Sequence, residues 1–158
     1  MPYYIKRKNK QTSTTAAKSR KSNSQSTLIR KLDKVFSLYI RLRDAMPSGY
    51  VKCISCGQIK RFDDVDCGHF HSRRNMSTRY DEENCNAECR YCNRFSADHL
   101  IGYQRNLIQK IGQGHFDLLN VRAHSAKHYM DFELDGMIKH YTKEVKRLST
   151  LKGIKVNI

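Results

Sequence analysis

Two short turns, Cys53-Ile-Ser-Cys56 and Cys89-Arg-Tyr-Cys92, each aim a pair of thiols at one point. Together they offer the tetrahedral four-sulfur set that Zn²⁺ prefers, with no position left open for chemistry, so the spacing predicts a structural zinc ion. The competing use of Cys-x-x-Cys is redox, but such motifs come singly and near a βαβ pattern, which is missing here. The 32 residues between the pairs leave room for a hairpin and a loop. In that gap lies Asp66-Cys67-Gly68-His69-Phe70, with Asn84 before the second pair and Asn93 directly after it. These residue types suit phosphodiester hydrolysis. Neutral imidazole at His69 has a pKa fit to take a proton from water near pH 7. A hard cation such as Mg²⁺ keeps several waters and needs few protein oxygens, which one Asp and one Asn would supply. Cys67 and Cys85, outside the pairs, read as small buried hydrophobes.

Elements must hold these residues. Thr27 caps a helix running to about Met46, with Leu28, Leu32, Val35, Phe36, Tyr39 and Ile40 at helical spacing, and Pro47-Ser48-Gly49 ends it. Residues 50–56 are extended and close in the first Cys turn. Residues 62–70 read as a strand, 71–81 as a polar basic loop, and 83–87 as a second strand leading into the second Cys turn. Helices follow over 96–111, with Leu100, Tyr103, Leu107 and Ile111 on one face, over 115–122, and over 132–148. The last turns Leu134, Met137, Ile138, Tyr141, Val145 and Leu148 inward. The predicted fold class is α+β, a small zinc-bound centre flanked by helices. It divides into a disordered basic arm (1–26), an N-terminal helix (27–49), the core (50–112) and a C-terminal helical region (113–158). Residues 50–95 hold few large aliphatics, so that centre needs its ion to stand.

His on one strand, Asn on the return strand and a ligand at a helix start is the order of the HNH, or ββα-metal (His-Me finger), nuclease centre. The stretch CISCG…DCGHF…TRYDEENCNAECRYCNRFSADHLIGYQRNLIQKIG, and more weakly 130–148, resembles the phage NinG (Rap) recombination proteins, which are branched-DNA endonucleases. Cys-x-x-Cys-Asn after an Asp and His is also similar to phage recombination endonuclease VII. The resemblance implies zinc on Cys53, Cys56, Cys89 and Cys92, His69 as general base, and Asn84 holding the loop and orienting His69. It makes Asn93 a ligand for Mg²⁺ or Mn²⁺. In the endonuclease VII pattern the acidic ligand directly precedes the His, where this chain has Gly68. Asp66 shares the face of position 68 but lies roughly 6–7 Å further along. A bulge at Gly68 is expected to close that gap, with Asp63 and Asp64 as fallback ligands. The implied substrate is branched or distorted DNA (Holliday junction, D-loop or flap). By symmetry a homodimer is expected, in the cytoplasm of a bacterial host.

Charge agrees with an anionic partner. Lys+Arg number 30 against 15 Asp+Glu, a net +15, of which +7 falls on residues 1–26 and +8 on the rest. No apolar run approaches the roughly 20 residues of a membrane span, and the start lacks a secretory h-region. Arg73, Arg74 and Arg79 in the loop, with Arg90 and Arg94 beside the second Cys pair, are candidate phosphate contacts, Arg79 foremost. His71 is the rival base. His99, His115, His124, His128 and His140 read as solvated. The alternative is a non-catalytic zinc-knuckle DNA-binding protein, which needs neither His69 nor Asn93. A zinc-bearing RNA binder would place stacking aromatics in 71–79, where there are none.

Overall fold

The computed structural model describes residues 24–158. The basic arm expected over 1–26 lies outside them apart from its last three residues. Of these, Gln25 and Ser26 already belong to the first helix, α1 (Gln25–Asp44). Ser24, not Thr27, is its flanking residue. The Ser24 carbonyl accepts from the Thr27 and Leu28 amides (2.8 and 3.1 Å), which places Thr27 inside the first turn.

A small hairpin follows, β1 (Tyr50–Lys52) with β2 (Ile59–Arg61), antiparallel and closing around the first Cys turn. The second of these strands was too short to show alternation. A 3₁₀ turn at Phe62–Asp64 takes up the first part of the strand expected over 62–70, as the adjacent carboxylates Asp63 and Asp64 favour a turn over pairing. A second hairpin pairs β3 (Val65–His69) with β4 (Cys85–Cys89) in the register Val65↔Cys89, Cys67↔Ala87 and His69↔Cys85. Gly68 sits opposite Asn86 in continuous pairing, so the expected bulge is absent. The glycine serves close approach instead: a Cβ there would collide with the Glu88 side chain.

From β4 the chain passes directly into α2 (Arg90–Phe95), a six-residue helix carrying Cys92 and Asn93, ahead of the helix expected over 96–111. Then come α3 (His99–Ile111), α4 (Gln113–Ala123), entered through Gly112 at φ +84, and α5 (Asp131–Lys152). On α3, Tyr103 and Leu107 are buried, but Leu100 faces solvent.

Helices α1 and α5 pack along each other, and the β3–β4 hairpin packs against α1. Covered on two sides, α1 buries Leu28, Leu32, Val35, Phe36, Leu38, Ile40 and Leu42, more than a single stripe. Phe36 meets Tyr141 and Tyr80 edge-on, with centroids 4.8 and 5.6 Å away. At the far end of α5, the Lys152 ammonium donates to the carbonyls of Leu42, Arg43 and Ala45 (2.7, 3.0 and 2.5 Å), covering open carbonyls at the end of α1. A second, smaller cluster of Tyr103, Leu107, Phe116 and Leu119 joins α3 to α4. No helix among the described residues is long and apolar enough to cross a membrane.

Candidate metal centre and adjoining pocket

The β1–β2 turn and the β4–α2 junction bring Cys53, Cys56, Cys89 and Cys92 together, one sulfur from each within 4.8 Å of the others. The Cys89 amide donates to the Cys53 sulfur at 3.3 Å, which steadies a thiolate there. Burial pushes the Cys53 and Cys92 thiols above their ordinary range. At Cys56 burial is outweighed by the Gln58 backbone and the neighbouring cysteines, which hold that thiol below its ordinary range, and a set of four sulfurs fits a zinc-class ion.

The surroundings tie this cluster to the rest of the chain. Ser55, inside the first Cys turn, donates to Glu88 Oε1 at 2.5 Å, and His99 Nδ1 lies 2.7 Å from the same oxygen. His99, expected to be solvated, therefore bolts α3 to a Glu88 side chain that is 0% exposed. Gly102 on α3 lies so close to the Ser55 carbonyl that a Cβ would clash with it. The Asn106 amide donates to Ile54 O at 2.6 Å.

Beside the cluster, a pocket of about 470 Å³ is lined by Ser37, Asp66, Cys67, His69, Arg73, Asn93 and Arg94. It gathers five of the anticipated residues: Asp66 from β3, His69 at its end, Asn93 from α2, and the arginines at 73 and 94. The Asn93 amide donates to Asp66 Oδ2 at 3.1 Å. Arg94 grips the same carboxylate with two bonds of 2.7 and 2.9 Å. Burial works against the Asp66 charge, but Arg94 and Asn93 outweigh it and hold its pKa below the usual carboxylate value. His69 Nε2 lies 3.1 Å from the Arg79 carbonyl. A carbonyl only accepts, so Nε2 carries the hydrogen and Nδ1 holds the lone pair. Burial pushes the His69 pKa below its ordinary value, with Arg73 and Arg79 adding to the effect, so the neutral ring prevails at pH 7.

Asn84 is fully buried and clamps the loop rather than the His69 ring. Its oxygen accepts from the His71 amide (2.7 Å), and its amide donates to the carbonyls of His71 (3.0 Å) and Thr78 (2.9 Å). The orienting of His69 falls to Arg79 O. His71 leaves the strand and meets Asn120 on α4 at 2.8 Å, away from Asp66 and Asn93.

Arg79, the foremost phosphate candidate, is engaged elsewhere. Its guanidinium forks onto Asp33 of α1 (2.9 and 2.6 Å), a carboxylate that already satisfies the geometry a phosphate would use. Arg90 is half exposed and donates to the Asp63 carbonyl. Arg73 and Arg74 stay exposed beside the pocket. Among the other histidines, His115 pairs with Glu83 at 2.6 Å and His124 with the Asn120 carbonyl at 2.8 Å. Sequence reasoning missed Arg41. Its guanidinium lies over the Phe62 ring (4.9 Å), near enough to Asp66 to feel its charge, and its buried Nε has no hydrogen-bond partner among the described residues. The available signal was its place on α1 one turn after the pocket-lining Ser37.

Fold and site together define a mixed α+β protein built on a four-cysteine cluster able to hold a zinc-class ion. The family described as "Bacteriophage Lambda NinG protein" matches residues 4–150, and the chain belongs to that family. Similar curated proteins are Protein ninG of Escherichia phage 933W (29% identical over 122 residues), of Escherichia phage lambda (28% over 122) and of Salmonella phage P22 (26% over 121). Each alignment covers 76% of this chain, which spans 56–57% of the length of those relatives. No solved structure matches.

Proposed function

We propose that the chain is a metal-dependent endonuclease of the HNH type, cutting branched DNA in phage-type recombination. The observation that carries this reading is the His69 ring, which hydrogen-bonds through Nε2 to the Arg79 carbonyl and lines a pocket shared with Asp66 and Asn93. The succession β3, β4, α2 supports it, being an antiparallel strand pair followed at once by a helix bearing Asn93.

In this reading His69 Nδ1 takes a proton from water as the water oxygen bonds to phosphorus and the bond to the leaving 3′ oxygen breaks. Asp66 and the Asn93 amide oxygen would hold Mg²⁺ or Mn²⁺, which supplies positive charge at the scissile phosphate and the leaving oxygen. Two local changes are required. The Asn93 amide must turn its oxygen toward Asp66, and Arg94 must let go of the carboxylate. Arg94 is then free to meet a phosphate, as are Arg73, Arg74 and Arg90. Residues 27–158 alone carry +8, a charge suited to a nucleic-acid partner, and a homodimer would cut two strands of a junction.

One observation favours a second reading, a non-catalytic zinc-knuckle DNA binder: Asp66 is already neutralised by Arg94. Cleavage of linear duplex, flap, D-loop and four-way-junction DNA in Mg²⁺ or Mn²⁺ separates the two. Wild type should cut a branched substrate, and His69→Ala and Asn93→Ala proteins that retain zinc should lose about 10²-fold or more. Binding without cutting by all three supports the binder instead.

A further inference from the structure

The pairing that sets His69 opposite Cys85 also puts Cys67 diagonal to Cys85 on the same face of the hairpin. One donor atom from each of these three residues lies within 4.8 Å of the other two, the same closeness found in the four-cysteine cluster. We propose that Cys67, His69 and Cys85 form a second metal site, for a zinc-class ion, distinct from the structural cluster.

Two thiolates and an imidazole select soft or borderline ions over Mg²⁺, the opposite preference to that of Asp66 and Asn93. Continuous strand pairing fixes the three positions before an ion arrives. The Arg79 carbonyl accepts from both His69 Nε2 (3.1 Å) and Cys85 Sγ (3.6 Å), so the loop holds two donors side by side. Cys85 is fully buried, while Cys67 and His69 line the pocket, so the ion enters from the pocket and its fourth position faces water. Arg73 and Arg94 on the pocket wall oppose an entering cation, and Asp66 and Asp33, each already paired with an arginine, offset only part of that charge. On binding, both thiols release their protons to solvent, and Cys85 gives up its bond to the Arg79 carbonyl. Three protein ligands and one open position make an exchangeable site, unlike the closed cluster nearby. The site itself stands on geometry alone. Its consequence rests on the nuclease reading: an ion held by His69 removes the base, so a zinc-class ion inhibits cleavage that Mg²⁺ supports.

The test uses the reduced full chain equilibrated with excess Zn²⁺ alone, followed by measurement of bound zinc. Wild type should hold two ions, and Cys67→Ala, His69→Ala and Cys67→Ala/Cys85→Ala one each. Cys67 is partly exposed, so its variant decides the matter even if the Cys85 variant does not fold. Co²⁺ in the second site should add sulfur-to-metal charge-transfer absorbance that Cys67→Ala lacks. A single zinc in wild type, or a second zinc retained in both Cys67→Ala and His69→Ala, overturns the proposal. In cleavage assays, second-site zinc should slow wild type by about 10²-fold, the size of a general base's contribution. The ratio of rates with and without zinc should move toward one in Cys67→Ala. If no protein cuts any DNA, the nuclease reading fails and the zinc count still decides the site.

Discussion

The two faces of the β3–β4 hairpin are held by different physics. Toward α1, Val65, Cys85 and Ala87 join one apolar cluster with Phe36 and Ile40. On the other face Asn86 and Glu88 are buried as completely, but hydrogen bonds hold them. Glu88 meets Ser55 and His99, while Asn86 meets Tyr103, Lys110 and Arg43. An apolar face loses stability in proportion to the volume removed. A polar face fails by the partner left behind, because a buried donor or charge without its mate keeps its full desolvation cost. One five-residue strand thus joins a hydrocarbon-packed helical body to a centre organised by thiols, carboxylate and amide.

Removing metal from the four-cysteine cluster should have the largest effect, since structural zinc in small domains is worth on the order of 10 kcal/mol. Chelation or Cys89→Ser should strip hydrogen-exchange protection from the first Cys turn and α2, while α1 and α5 keep their helical circular dichroism. Simultaneous loss of both would erase the distinction between the faces. Next come Phe36→Ala, at about 3–5 kcal/mol for a cavity, and Glu88→Ala, at about 1–3 kcal/mol for the Ser55 and His99 groups left without their acceptor. Both are read from urea unfolding. If the faces act independently, the double variant should be additive within about 0.5 kcal/mol, and a larger coupling would show one shared unit.

Gly68→Ala should cost about 1–3 kcal/mol as overpacking. The cost should shrink in a Glu88→Ala background, where the colliding side chain is gone. The smallest effect concerns Asp44, which bridges the end of α1 to the Ala87 amide (2.9 Å) and Lys110 (3.0 Å). Burial alone would raise its pKa. Arg43, Lys110 and the Ala87 amide outweigh burial and leave it lowered. A depressed carboxylate stabilises the fold above its unfolded value of about 3.9, and that stability drains away as pH falls through the folded value. Asp44→Asn should flatten this acid limb in urea midpoints measured as pH is lowered.

The paired cysteines and the apolar spacing of α1 and α5 were legible because each is a local pattern, and both strands of the second hairpin were expected, over 62–70 and 83–87, although they run Val65–His69 and Cys85–Cys89. What escaped depended on distant partners. Arg79 turned to Asp33 across 46 positions in sequence, and His99 to Glu88 across 11, and nothing near either residue encodes that choice. The six residues of α2 were too few to show a helical period, although they carry Asn93. Gly68 was noticed for the right reason, a departure from pattern. Its cause, a carboxylate on the neighbouring strand, needed the register.

Arg79 has a role that neither face has alone. Its side chain is anchored on α1 through Asp33, and its carbonyl decides which imidazole nitrogen of His69 carries hydrogen. A displacement of that helix would therefore register as exchange between two tautomers of a ring on another element. The ¹⁵N shifts of a single histidine should report where α1 sits.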